Sequence, residues 1–353
     1  MSNNLLSIGL IVLFFYVGQG ILVPLFFAIL LASLLLPINL FLERKGFHHI
    51  LAIILSLLFS LIVIVSVLYF LVNQIADFFD DLPMIQSRLD NLAWIIHKWI
   101  RSTFHITIYK QNQYVTDSFA KMKASGRGMF GAFDTATQVL SYVVLLPVYT
   151  FLLLYYRNMI KKFLVACFNS NREGEVREIL HESQSVSQSY IAGLMIEMAI
   201  VFALNALGFL ILGIKYTIFL ALVAAMLNII PYIGMLIANI FCMLITLISG
   251  EVMMISDVFW VGVILAVVQF IDNNFLMPLI VGSKVRINSL VTIVGVLVGG
   301  ALCGVPGMFL SIPGLAVLKV IFDRVDGLKP FGILLGDESP ARKIKGVLPE
   351  KII

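Results

Sequence analysis

Apolar runs of roughly 18 residues or more, separated by short charged segments, recur along nearly the whole chain. A helix rises about 1.5 Å per residue and the hydrocarbon core of a bilayer is about 30 Å thick, so such runs predict membrane-spanning helices. Residues 5–42 are about twice the required length, and Gly18, Gly20 and Pro24 inside them predict a break between a first and a second helix. Residues 49–72 predict a third span, 133–156 a fourth, 190–212 a fifth, 217–248 a long interrupted sixth and 258–281 a seventh. The last apolar region, 290–322, carries Gly299, Gly300, Gly304, Pro306, Gly307, Pro313 and Gly314. It reads either as one span with a re-entrant piece or as two short ones.

The expected fold class is therefore all-α, a polytopic helical membrane protein with about eight transmembrane helices, some broken by Pro or Gly. The chain divides into helices one to three (1–72), an extramembrane helical region (73–132), helix four (133–157), a cytoplasmic connector (158–189), helices five to eight (190–322) and a polar tail (323–353). Within the extramembrane region, Phe78, Leu82, Ile85, Leu89, Leu92, Ile96 and Trp99 recur in steps of four and three, the spacing of an amphipathic helix. Its stripe suits packing on the same chain, the membrane surface or a second subunit. Residues 169–189 are polar with weak helical spacing and read as a helix and hinge. The start of the chain has no basic flank or small-residue cleavage site, so it reads as a retained span rather than a removed signal peptide.

Charge sets the expected orientation. Glu43, Arg44 and Lys45 follow the second expected helix, and Arg157, Lys161 and Lys162 follow the fourth. Short loops rich in Lys and Arg stay in the cytoplasm, which places the N-terminus there and residues 73–131 outside. Lys284 and Arg286 fall on the wrong side of that count. Of 353 residues, 60% are hydrophobic and 12% charged, with a net charge of +4 spread in small clusters, which excludes a soluble domain and argues against nucleic acid as a partner. Cys167, Cys242 and Cys303 are too scattered for a disulfide framework or a zinc site. The adjacent His48 and His49 do not read as a metal site, and no cofactor is expected. Phosphate-binding, zinc-protease and nucleophile-elbow motifs are missing from the sequence, so neither direct ATP use nor intramembrane hydrolysis is expected.

The candidate chemistry lies in polar residues within the apolar runs. Asp272 falls just past the middle of the seventh span, where a carboxylate costs about 2.5 to 3.5 kcal/mol on insertion scales. Gln269, Asp272 and Asn273 sit at i, i+3 and i+4 and share one helical face. Pro278 removes a backbone donor further along and predicts a kink. In the sixth span, Asn228, Pro231, Tyr232 and Gly234 form a second interruption, of the kind transporters use to expose backbone dipoles to a substrate. Glu197 is a second intramembrane carboxylate, with Asn205 eight residues on and about 80° away around the helix. Two readings stand: a hydrogen-bonded cluster that binds the helices together, or a substrate, ion or proton site in which Asp272 and Asn228 converge across two broken helices.

Four stretches, PVYTFLLLYYRN (147–158), GIKYTIFLALVAAMLNIIPYIG (213–234), QFIDNNFLMPLIVGSKV (269–285) and VGGALCGVPGMFLSIPGLAVLKVIF (298–322), carry a resemblance to the autoinducer-2 exporter-like permease family. That family commonly has Glu where Asp272 stands, His-Pro at 288 and 289, and Pro at 235; here those positions hold Asn288, Ser289 and Met235. The resemblance implies a secondary transporter in a bacterial inner membrane. It would export a small polar solute such as a signalling furanone, or exchange sodium or lithium for protons. It also implies a homo-oligomer, a pentamer being the assembly associated with the family. The alternatives are a non-transporting envelope scaffold and an oligomeric channel.

Overall fold

The computed structural model describes residues 2–105, 107, 109–110, 113, 129–167, 173–230, 233–249, 255–282 and 287–336. Helix α1 (Ser2–Arg44) is continuous, so the expected break at Gly18 to Pro24 is absent. The physical reason is the solvent. Glycine costs a helix about 1 kcal/mol, whereas opening the chain in hydrocarbon strands backbone groups at several kcal/mol each. Pro24 is instead buried within the helix. A single α1 places the start of the chain on the face opposite Arg44, and the cytoplasmic N-terminus that followed from counting two helices no longer follows.

Helix α2 (His49–Asp80) returns across the molecule, and α3 (Leu82–Phe104) begins after a break at Asp81 with proline in its first turn. The stripe from Phe78 to Trp99 is thus divided between two helices. Phe78 packs on Phe219, with ring centroids 4.9 Å apart, and Arg88 donates to the Ile248 carbonyl at 2.8 Å. Trp94, Ile95, Ile96 and Trp99 remain exposed. Helix α4 (Met129–Tyr155) descends beside α1 and turns by 65° into the short amphipathic α5 (Arg157–Ala166). Helix α6 (Glu173–Ile211) runs unbroken from the polar connector through the fifth apolar run, so residues 173–189 hold no hinge.

Two faces are defined by side-chain ties. On one, Arg157 donates to Asn39 at 2.5 Å and to Glu43 at 2.6 Å, and His49 pairs with Glu43 at 2.6 Å. On the other, Lys215, between α6 and the next helix, pairs with Asp81 at 2.7 Å. From that second face α7 (Thr217–Leu227) and α8 (Ile233–Ser249) form a hairpin. Cys242 Sγ lies 3.6 Å from the Leu220 carbonyl oxygen, although 22 residues separate them. At about 1.5 Å per residue the 11 residues of α7 reach roughly 16 Å, half the depth of a bilayer. The interrupted sixth span is therefore a re-entrant hairpin whose tip holds Asn228. Gly234 lies against the Leu227 carbonyl, where a Cβ would have no room.

Helix α9 (Ile255–Ile271) continues without a sharp bend into a π-helix (Asp272–Gly282). Pro278, where a kink was expected, lies inside this widened winding, and Asn274 Nδ2 donates at 2.8 Å to the Phe270 carbonyl. The last apolar region, α10 (Ser289–Arg324), leaves helical geometry at Cys303 and Gly304 and folds back on itself. Ser311 Oγ donates to the Gly295 carbonyl at 2.9 Å; a straight helix would hold those residues about 24 Å apart. Gly299 and Gly307 meet where the arms touch, with no space for a side chain at either. Asn288 caps α10 through Val291 N–H and donates to the carbonyls of Leu334 and Gly336, tying in α11 (Lys329–Leu335). Both ends of this second hairpin thus lie on the Arg157 face, where Arg324 also pairs with Glu178 and Glu182 of α6.

By length and apolarity five helices among the described residues suit a membrane crossing, or six if α4 and α5 count as one bent span. Since α10 folds back, the helices that connect the two faces are α1, α2, α4, α6 and α9.

Candidate functional site

The site forms where the tip of the α7–α8 hairpin meets α6 and the start of the π-helix. Asp272 is 3% exposed, and Asn228 Nδ2 donates to its Oδ2 at 3.0 Å. Gln269 Nε2 reaches the same oxygen at 3.3 Å and Asn273 Oδ1 at 3.1 Å. The i, i+3, i+4 face expected of Gln269, Asp272 and Asn273 is thus present, but only Asp272 is buried; Asn273 is exposed. Asp272 and Asn228, which α9 and α7 carry from positions 44 residues apart, do converge.

Glu197 of α6 joins them. Its side chain is buried, and its carboxyl is near enough to Asp272 for the two groups to interact electrostatically. Oxygens Glu197 Oε2 and Asp272 Oδ1 are both buried without a donor, as is Asn205 Oδ1 two turns further along α6. Buried polar oxygens are rarely left without partners, and buried charges are ordinarily paired. Among the described residues no Lys, Arg or His pairs with either carboxyl. Asn205, Asn228, Asn239 and Gln269 line a small adjoining cavity, closed by Met235 and Leu265, with room for about one water molecule.

Backbone contacts hold this arrangement. Gly193 on α6 faces the Ile280 carbonyl of the π-helix, where an added Cβ would come within 3.1 Å of the oxygen, and Val201, Ala225 and Val268 form an apolar cluster nearby. Gly234 permits the tight hairpin turn, while Pro231 and Tyr232 lie outside the described residues. Pro278 is exposed on the π-helix, and Pro313 is buried in the second arm of α10. Asn239 is the lining residue the sequence reading passed over. An amide within the apolar run from Ile233 to Ser249 was its signal, the same signal that marked Asp272. No cluster of three or more His, Cys, Asp or Glu suited to a metal occurs among the described residues.

Paired acidic oxygens and amide carbonyls, sealed within apolar helices, can hold a proton or a small cation with oxygen ligands. Half-membrane hairpins entering from opposite faces are a device of polytopic membrane proteins of the transport class. The profile described as AI-2E family transporter matches residues 5–327, and the chain belongs to that family. YrrI, a candidate transport protein of Bacillus subtilis (strain 168), is 26% identical over 328 residues, covering 87% of each chain. YueF of the same organism, also a candidate transport protein, is 23% identical over 253 residues, 71% of this chain and 67% of its own. PerM, a candidate permease of Escherichia coli (strain K12), is 26% identical over 181 residues, 51% of this chain and 50% of its own.

Proposed function

We propose that the protein is a secondary transporter that exchanges a monovalent cation for protons at Glu197 and Asp272. The observation that carries this reading is the orphaned oxygen pair: two adjacent buried carboxyls with no basic partner among the described residues. Two negative charges side by side in a low-dielectric site require a compensating positive charge, and a proton and a metal cation then compete for one place. With one carboxyl kept protonated by the other's charge, the pair and its neutral amides carry a single negative charge and suit a monovalent ion. The cavity between Asn205, Asn228 and Gln269 has no room for a furanone ring in this conformation, which favours the ion over the organic solute.

The basic face, with Arg44, Lys45, Arg157, Lys161, Lys162 and Arg324, is assigned to the cytoplasm of a bacterial inner membrane. The α10 hairpin then enters from the cytoplasm and the α7–α8 hairpin from outside. The return of the α7–α8 hairpin to its side of origin also removes the conflict over Lys284 and Arg286, since α9 then leads from the outer face to the cytoplasmic one. The exposed face of α3, with Trp94, Ile95, Ile96 and Trp99, is assigned to contact between copies in a homo-oligomer. The test is a sodium pulse to purified protein in liposomes loaded with a pH-sensitive dye. Sodium entry should drive proton exit, with Asp272→Asn and Glu197→Gln both silent. Proton exit at wild-type rate in either variant would refute the proposal.

A further inference from the structure

An open cavity of about 400 Å³ lies on the Arg157 face, bounded by α1, the α4–α5 bend and the connector end of α6. Along α1 it extends from Ile29 to Leu40, eleven residues or about 16 Å of helix, which is most of one bilayer leaflet. Its walls are apolar over that length, with Ala32, Leu36 and Leu154 among them. Its mouth is polar, where Asn158, Arg157 and Lys161 of α5 stand opposite Gln184 of α6. Two charged side chains line the cavity and both are positive.

The two cations differ. Arg157 is engaged by Asn39 and Glu43, which fix its guanidinium and offset its charge. Lys161 is exposed and makes no ion pair among the described residues. The helix that carries it is bent 65° away from α4 and exposes Met159 and Phe163, as a helix lying in a membrane interface does. An occupant matching these features has an acyl-length apolar body and an anionic end at the cytoplasmic interface.

We propose that this cavity is a binding site for an anionic phospholipid, its acyl chain lying along α1 from Leu40 towards Ile29 and its phosphate held by Lys161 and the fixed Arg157. A bound lipid would bridge α1, α5 and the connector end of α6. The site is separate from the carboxyl pair, and its existence does not depend on the ion-exchange reading.

The test is native mass spectrometry of the full-length protein after titration with dioleoyl phosphatidylglycerol or dioleoyl phosphatidylcholine in detergent. One basic side chain near an anionic membrane surface corresponds to roughly a fivefold change in affinity. Retention of phosphatidylglycerol should therefore exceed that of phosphatidylcholine by at least about fivefold. Lys161→Gln should abolish most of that preference, while Ala32→Phe, which fills the apolar channel, should reduce retention of both lipids. Equal retention of the two lipids by the wild type would overturn the proposal. So would a phosphatidylglycerol preference unchanged in both variants, since the selective lipid would then sit elsewhere. A monodisperse size-exclusion profile and a wild-type melting temperature for each variant report that the protein is folded.

Discussion

Asn228→Ala isolates the contribution of the hairpin tip to the ion site. The substitution removes the 3.0 Å hydrogen bond to Asp272 Oδ2 and leaves Gln269 as the remaining donor to that oxygen, at 3.3 Å. A hydrogen bond to a charged group contributes about 1.5 to 3 kcal/mol. Because Gln269 stays, the lower end applies, and about 1.5 kcal/mol corresponds to a little over tenfold in an equilibrium constant. Half-saturating sodium in the liposome exchange assay should therefore rise roughly tenfold, with the maximal rate far less affected, since both carboxyls remain. Truncation at Asn228 opens space rather than closing it, so the hairpin should still pack. A half-saturating concentration within twofold of wild type would refute the claim that Asn228 supports Asp272 in the cation-bound state.

Gly299→Val should drive its side chain into Gly307 and Ser311 of the facing arm, lowering stability by about 2 kcal/mol or more and the melting temperature with it. Gly314→Ala, with nothing within 4 Å of the new methyl, should be neutral or stabilising by about 0.5 to 1 kcal/mol in the same thermal scan. Lys215 and then Tyr216 donate to Asp81 and hold its carboxyl below its ordinary value of 3.8. The tie between the α2–α3 junction and the α6–α7 turn is then intact above that value and weakens as pH falls through the lower folded one. Hydrogen exchange of the turn should accelerate in acid, and Asp81→Asn should show fast exchange at every pH. In a cysteine-free background, Lys45→Cys and Gly327→Cys should label from one side of the membrane and Asn91→Cys from the other.

Much of the fold was legible because lipid enforces a simple rule, that long apolar runs become helices. The same rule hid the interruptions. Gly18 and Gly20 in α1 and Gly299 and Gly307 in α10 look alike in sequence. The first pair interrupts nothing, because an isolated helix in lipid keeps its hydrogen bonds. The second pair lies beside a non-helical Gly304, with φ of +63°, and allows two arms to touch. What separates the two cases is the tertiary partner, which periodicity does not encode. Composition likewise does not distinguish a run that crosses from one that turns back; among the described residues five helices connect the two faces and two apolar runs fold back as hairpins.

The site was more legible than the topology. Asp272, Asn228 and Glu197 stood out as polar groups where polarity is costly, and a meeting of Asp272 with Asn228 was expected; that Glu197 lies beside them was not read from the sequence. The grouping of Asn228 with Asn205, Asn239 and Gln269 around one cavity depended on the α7–α8 hairpin returning, which the apolar run from 217 to 248 did not reveal. Asn273 shows the limit of face arguments at the start of a π-helix. The winding changes after Asp272, and a residue at helical spacing from Gln269 ends up exposed.

The most direct test of the central claim is calorimetric titration of sodium into the purified protein in buffers of differing ionisation enthalpy, which counts protons released per ion bound. Competition at Glu197 and Asp272 should release about one proton per sodium near the midpoint of the site's titration, and Asp272→Asn should bind no sodium. Saturable sodium binding with no proton release, or binding retained in Asp272→Asn, would contradict the account.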